Sequence, residues 1–246
     1  RYLEERGIGF DTGVARVPIV PATILFDLGY GRADQRPDKQ MGYQACLNAS
    51  QGPVEEGNVG AGTGATVGKI LGMGQAMKAG IGTASEKIGD ELVVAALAAV
   101  NVLGDVIDPK NGKIIAGART VQSGGLDSNA PGYFADTFQV MKSLAISSQA
   151  KFSSQQNTVI GVVATNAQLN KEQANKVAQM AQDGVARTIR PAHTMMDGDT
   201  IFALATGEVP ADVNLVGACG AELFAQAILR GTRLAKSAGG LPGLAG

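Results

Sequence analysis

Apolar positions along this chain follow two rhythms, and each switch between them marks an element. From Glu91 to Ile107, Val, Leu and Ile interleave with Ala almost without a break, the pattern of a strand buried on both faces. Its most apolar part, Leu92 to Leu103, is about half the roughly 20 residues a membrane span needs, so it predicts a buried strand. Thr158 to Ala164 has the β-branched alternation of a second strand, and Thr200 to Thr206 of a third. Between these two, Ala174, Val177, Ala178, Ala181, Val185 and Ile189 recur at three- and four-residue spacing, giving a helix with one apolar face and Asn170 as its N-cap. Leu215 to Ala235 predicts a second amphipathic helix, and Asp38 to Ala49 a shorter one.

The rest of the chain reads as connections. Val14 to Leu28 carries Val-Pro-Ile-Val-Pro, and two prolines cannot both serve a central ladder, so this stretch is extended but irregular or at a sheet edge. Gly57 to Gly74 is a glycine-dense loop, built to let backbone approach something closely. Gly117 to Gln156, polar apart from a patch between Tyr133 and Ile146, reads as a surface linker, and the Gly/Pro tail Gly239 to Gly246 as disordered. Strands alternating with helices in both halves predict an α/β, layered architecture with no internal repeat.

Composition narrows the function. The 21 Lys+Arg against 22 Asp+Glu are scattered along the chain, which argues against nucleic acid or an acidic membrane surface as a partner. Cys46 and Cys219 are the only cysteines, too far apart for C-x-x-C chemistry, and are expected to be buried apolar fillers. Arg1 to Arg6 followed by Gly7 looks like the end of a helix, so an N-terminal portion is expected to precede Arg1, and no compartment follows from the sequence.

Several segments invite chemistry. The loop Gly57-Asn-Val-Gly-Ala-Gly-Thr-Gly-Ala-Thr-Val-Gly-Lys69 superficially suggests a phosphate loop, but Thr63 stands where a Walker glycine belongs and Ile70 where Ser or Thr must follow the lysine. His193 is the only histidine and no G-x-S-x-G elbow exists, so a Ser-His-Asp triad is poorly served; the residue is expected to cap or pack in the turn after Pro191. Three readings of Asp197-Gly-Asp199 stand: a turn with Gly198 at positive φ, a divalent-metal pair short of further ligands, or a site that orients an amine. Finally, a polar linker stops at Asn157 and a buried strand starts at Thr158. Cleavage there would make Thr158 an N-terminal threonine, whose hydroxyl attacks while its own α-amine, with an ordinary pKa of roughly 7.7–8.0, takes the proton. Such a residue needs no histidine.

These motifs resemble, in order and over nearly the whole chain, the self-processing hydrolases of the DmpA type. That group includes aminopeptidases, β-peptidyl aminopeptidases, the nylon-oligomer hydrolase and a pantetheine hydrolase of carbapenem biosynthesis. The resemblance is carried by Arg1-Tyr-Leu-Glu-Glu-Arg-Gly-Ile-Gly-Phe10, Val17-Pro-Ile-Val-Pro-Ala22, the glycine block ending at Lys69, Asn157-Thr158 and Asp197-Gly-Asp199-Thr200. It implies a four-layer αββα sandwich formed as a single domain by an α-chain portion, 1–157, and a β-chain portion, 158–246. It implies autocleavage between Asn157 and Thr158, Thr158 as nucleophile, Lys69 beside it, Asn101 as oxyanion donor, and Asp197 and Asp199 as carboxylates orienting an amine. It also implies a homo-oligomer and a small peptide or amide substrate, calls for no metal, nucleotide or flavin, and places a Gly-Gly-Ser-Ala-Tyr-Gly-type motif before Arg1. Hydrolysis of linear non-peptide amides, acyl transfer of the ornithine-acetyltransferase kind, and an unprocessed inactive homologue are the alternatives.

Overall fold

The computed structural model describes residues 1–120, 130–146 and 157–246. In chain order, β1 (Phe10–Asp11) and β2 (Arg16–Val17) form a small hairpin and α1 spans Lys39–Leu47, capped by the Asp38 side chain. Next come β3 (Thr66–Val67), β4 (Met77–Lys78), β5 (Ile81–Ile88), β6 (Leu92–Asn101), β7 (Asp105–Ile107), β8 (Ile114–Ala116) and α2 (Thr137–Ile146). The last part holds β9 (Thr158–Ala167), α3 (Lys171–Thr188), β10 (Ile189–Arg190), β11 (Thr200–Val209) and α4 (Val213–Arg233).

The main sheet has the order β11-β9-β6-β5, parallel between β11 and β9 and antiparallel elsewhere. Its strands obey period two. Leu92, Val94, Ala96, Ala98 and Val100 of β6 are buried, and their partners on β9, among them Val163, Gly161 and Val159, share that face. Helices α3 and α4 cover it. Gly161 is a necessity there: a Cβ on it would fall 2.2 Å from the Leu97 carbonyl oxygen and 2.6 Å from the Phe224 ring, so α4 can pack this closely only over a bare backbone. Phe224, Leu223, Ile228, Val177, Val163 and Val100 belong to one continuous core. On the opposite face Val93, Ala95 and Leu97 are less covered, and a cavity of about 550 Å³ opens over Thr83, Ser85, Leu97 and Val162.

The helix beginning after Asn170 is present with its full capping box, Asn170 and Gln173 exchanging side-chain and backbone bonds. Several expectations need correcting. The long strand from Glu91 to Ile107 is two strands: after Asn101 the chain leaves the main sheet because the glycine loop captures it, with Val102 N–H donating to the Thr66 carbonyl and Lys69 N–H to that of Leu103. β7 then joins the separate sheet β10-β7-β8. The tail is ordered, because its glycines and proline make turns whose backbone is bonded: Lys78 N–H donates to Pro242 O at 2.8 Å, and Ala245 N–H to Ala235 O at 3.0 Å. Cys46 is exposed and Cys219 half-buried, since the first lies on a helix with no buried residue. Within the expected linker, α2 is anchored by buried Thr137, whose N–H and hydroxyl both donate to Asp105; residues 121–129 and 147–156 of that linker lie outside the described residues. Among the described residues no helix is long and apolar enough to cross a membrane.

Phe224→Ala should remove about 3–5 kcal/mol of unfolding free energy in a urea titration, the range for truncating a fully buried Phe. A loss under about 1 kcal/mol would mean that the seam between α4 and β9 does not hold the core.

Candidate active site

Register builds the site. Asn101, the last residue of β6, is paired with Thr158, the first of β9, so both side chains emerge from the same face at the same end of the sheet. Capture of residues 102–104 by the glycine loop delivers Lys69 to this point, where its Nζ donates to Asn101 Oδ1 at 2.8 Å. Thr66 N–H and Oγ1 donate to the same oxygen at 3.2 and 3.3 Å. That fixes the amide's orientation: its oxygen faces the lysine and its Nδ2 points the other way, donating to the Phe26 carbonyl at 3.1 Å. Asn101, Thr158 and Lys69 are all buried.

The loop from Thr194 to Asp199 closes the other side. Asn157 forms a parallel bridge with Asp197, and the Asn157 carbonyl oxygen accepts from Gly198 N–H at 2.7 Å. Gly198 does not adopt the positive φ expected of it; it lies against Thr158, where a Cβ would stand 3.2 Å from Oγ1. The left-handed residue of the loop is instead His193, at φ 55°. Asp197 Oδ2 accepts from both the Thr194 amide and hydroxyl, at 2.8 and 2.7 Å, which shapes the turn. Asp199 Oδ1 accepts from Val159 N–H at 2.8 Å, so this carboxylate grips the strand one residue past Thr158.

Lys69, Asn101, Asn157, Thr158, Asp197 and Asp199, scattered over 130 positions of sequence, thus surround one point. Sequence reasoning missed Gly198 as a hydrogen-bond donor, His193 as a partner of Asp199, and the Phe26 carbonyl as a partner of Asn101. Only Gly198 left a signal, as the small residue between two acids. Among the described residues no group of three or more His, Cys, Asp or Glu comes together as a metal site would require.

Burial dominates the electrostatics. It pushes the Lys69 ammonium down from 10.5 to about 7, against the opposing pull of Asp197 and then Asp27. Burial likewise raises Asp199, opposed by the Val159 amide; Asp197 adds to the rise and His193 counters it. A buried lysine poised near neutrality is a group that can accept and return a proton.

A family model described as peptidase family S58 matches residues 2–244. The chain belongs to peptidase family S58. An uncharacterized aminopeptidase of Mycobacterium tuberculosis is 40% identical to this S58 member over 259 residues, covering 98% of this chain and 71% of that one. A 6-aminohexanoate-oligomer endohydrolase of Paenarthrobacter ureafaciens is 29% identical over 198 residues, 80% of this chain and 53% of its own. Among solved structures, the L-aminopeptidase D-Ala-esterase/amidase of Ochrobactrum anthropi, described as a variant of the Ntn hydrolase fold, aligns with a TM-score of 0.54 at 20% identity, over 82% of this chain and 51% of that one. A Burkholderia β-aminopeptidase gives 0.51 at 22% identity, covering 82% and 54%. The fold is therefore the DmpA-like layered one. The S58 chain spans about half the length of these solved structures.

The lowered lysine has a consequence for stability. Between pH 7 and about 10.4 the unfolded chain holds a proton on Lys69 that the folded chain has released, so stability should rise with pH across that window and the penalty is full below pH 7. Fully buried Lys78, pushed down to about 8, adds to the same slope above pH 8. Urea titrations at pH 7 to 10 should show a flatter slope for Lys69→Met than for the wild type; identical slopes would mean that Lys69 stays charged when folded.

Proposed function

We propose that this S58 member is the catalytic part of an N-terminal-threonine amidohydrolase that cuts itself between Asn157 and Thr158 and then acts as an aminopeptidase on peptides or amino-acid amides. The observation that carries this reading is the setting of one peptide bond: the Asn157 carbonyl is held by Gly198 N–H at 2.7 Å, and the Thr158 hydroxyl that would attack it sits under the same glycine, opposite Asn101. In self-cleavage, Thr158 Oγ1 attacks the Asn157 carbonyl carbon and its proton passes to a neighbouring base, for which Lys69 is poised. Gly198 N–H steadies the oxyanion, the Thr158 nitrogen takes the proton back as the C–N bond breaks to leave an ester and a free amine, and water then hydrolyses the ester to a carboxylate on Asn157 and the hydroxyl of Thr158.

In turnover the same hydroxyl attacks the substrate amide and its proton goes to the Thr158 amine. Asn101 Nδ2, held in place by the donors to Oδ1, gives its N–H to the oxyanion in place of the Phe26 carbonyl, the leaving amine takes the proton, and water releases the acid from the acyl-enzyme. Asp199 holds the amine's end of the strand through the Val159 amide, and Asp197 shapes the loop that carries it. A small substrate with a free amine is supported by relatives named aminopeptidases. Linear non-peptide amides are the second reading, favoured by the 6-aminohexanoate-oligomer relative. Assembly into a homo-oligomer of processed heterodimers belongs to the same reading.

Intact-mass analysis of the full-length protein should give a fragment beginning at Thr158, while Thr158→Ala stays whole; a wild type that remains one chain under native conditions sinks the mechanism. In the processed enzyme, Asn101→Ala should lower kcat/KM on amino-acid amides by on the order of 100- to 1,000-fold, the cost of losing one oxyanion donor. Hydrolysis of 6-aminohexanoate oligomers but not of amino-acid amides would select the second reading.

A further inference from the structure

One side chain touches the site without a part in the chemistry above. His193 stands at φ 55°, in the left-handed region that non-glycine residues enter only when surrounding structure holds them there, histidine more readily than most. Its Nδ1 lies 3.3 Å from Asp199 Oδ2, while the other oxygen of the same carboxylate accepts from Val159 N–H at 2.8 Å. The Asp199 side chain is 7% exposed and that of His193 41%, so the histidine is the link between a buried carboxylate and solvent.

We propose that His193 is a positioning residue for Thr158: its Nδ1–H holds Asp199 in the orientation that clamps the Val159 amide, and so keeps the nucleophile and its amine aligned under Gly198. The inference rests on the hydrolase reading and adds a residue to it. A carboxylate with one oxygen on the strand and the other buried without its donor either takes up a proton or swings toward water; in both cases the Val159 clamp slackens. Displacement of a nucleophile by a fraction of an ångström is enough to cost catalysis heavily.

The groups around Asp199 set the direction of its titration. Asp197, in the same loop, disfavours its ionisation, whereas the Val159 amide and His193 favour it. Lys69, reaching in from the glycine loop, is drawn chiefly by Asp197 and Asp27, and Arg190, three residues before His193, is paired with Asp136. Removing His193 therefore leaves burial and Asp197 less opposed, and Asp199 protonates at a higher pH.

The test uses the full-length protein, assayed on an amino-acid amide after processing, with His193→Ala and His193→Asn. Asparagine tolerates the left-handed backbone and carries an N–H near the place of Nδ1. For His193→Ala, kcat should fall about 10-fold with KM within about 2-fold, and the deficit in kcat/KM relative to wild type should widen as pH falls along the acid limb, where Asp199 takes up its proton earlier. For His193→Asn, kcat should return to within about 3-fold of wild type, because the donor is restored. If His193→Ala does not fold, as judged by its thermal melt, His193→Asn alone decides: near-wild-type kcat supports the proposal and a loss of more than 10-fold overturns it. An active wild type with an unchanged acid limb and kcat in His193→Ala overturns the His193 assignment alone. A wild type that neither cuts itself nor hydrolyses amides overturns the hydrolase reading and this inference with it.

Discussion

Everything in the candidate site depends on the pairing of the last residue of β6 with the first of β9. Because Asn101 and Thr158 are register partners, a slip by one residue would turn one of them to the helix side of the sheet and separate the amide from the hydroxyl. The register is pinned by packing instead of by the polar residues themselves. Gly161 must face Phe224, Ala98 and Gly82 must lie beside it, and Val100 and Val159 must fill the core one step further on. The hydrophobic face of the sheet thus fixes the geometry of the polar end, and the candidate site is the last step of a pattern whose other members are structural.

The second constraint is dielectric. Lys69, Asn101, Thr158 and Asp199 are all withdrawn from water, which strengthens each hydrogen bond among them and penalises each isolated charge. The chain meets that penalty by sharing: one amide oxygen receives the lysine and both polar groups of Thr66, and one carboxylate receives a strand amide and an imidazole. A lysine in such a place titrates near neutrality instead of near 10.5, so a residue that is ordinarily a fixed cation becomes able to exchange a proton.

Much of this was legible in the sequence, for identifiable reasons. The strand from Leu92 and the helix from Asn170 announce themselves because buried periodicity and capping chemistry are local. The break at Asn101 was not legible, since it comes from the glycine loop pairing with residues 102–104, a contact across more than 30 positions. The tail was misread for a related reason: composition reports the freedom of an isolated segment, whereas Leu241 is buried and Pro242 accepts a bond from Lys78. Among the candidate site residues, the family resemblance pointed to Lys69, Asn101, Thr158, Asp197 and Asp199, but the contacts of Gly198 and His193 follow from where a carbonyl and a carboxylate oxygen lie, which no spacing encodes.

An N-terminal nucleophile faces a physical difficulty, because chain ends fray and a frayed nucleophile is misaligned. The position of β9 answers it. The strand lies inside the sheet, paired with β6 from Thr158 onward and with β11 from Ile160 onward. Val159 is bound to Asp199 through its amide and paired with Val100 across the ladder, and Thr158 is buried beneath Gly198. Breaking the bond before Thr158 would remove one covalent tether and leave all of these contacts in place. A chain end created in the middle of a sheet inherits the rigidity of that sheet, and a buried interior strand is therefore a better seat for a terminal threonine than any loop.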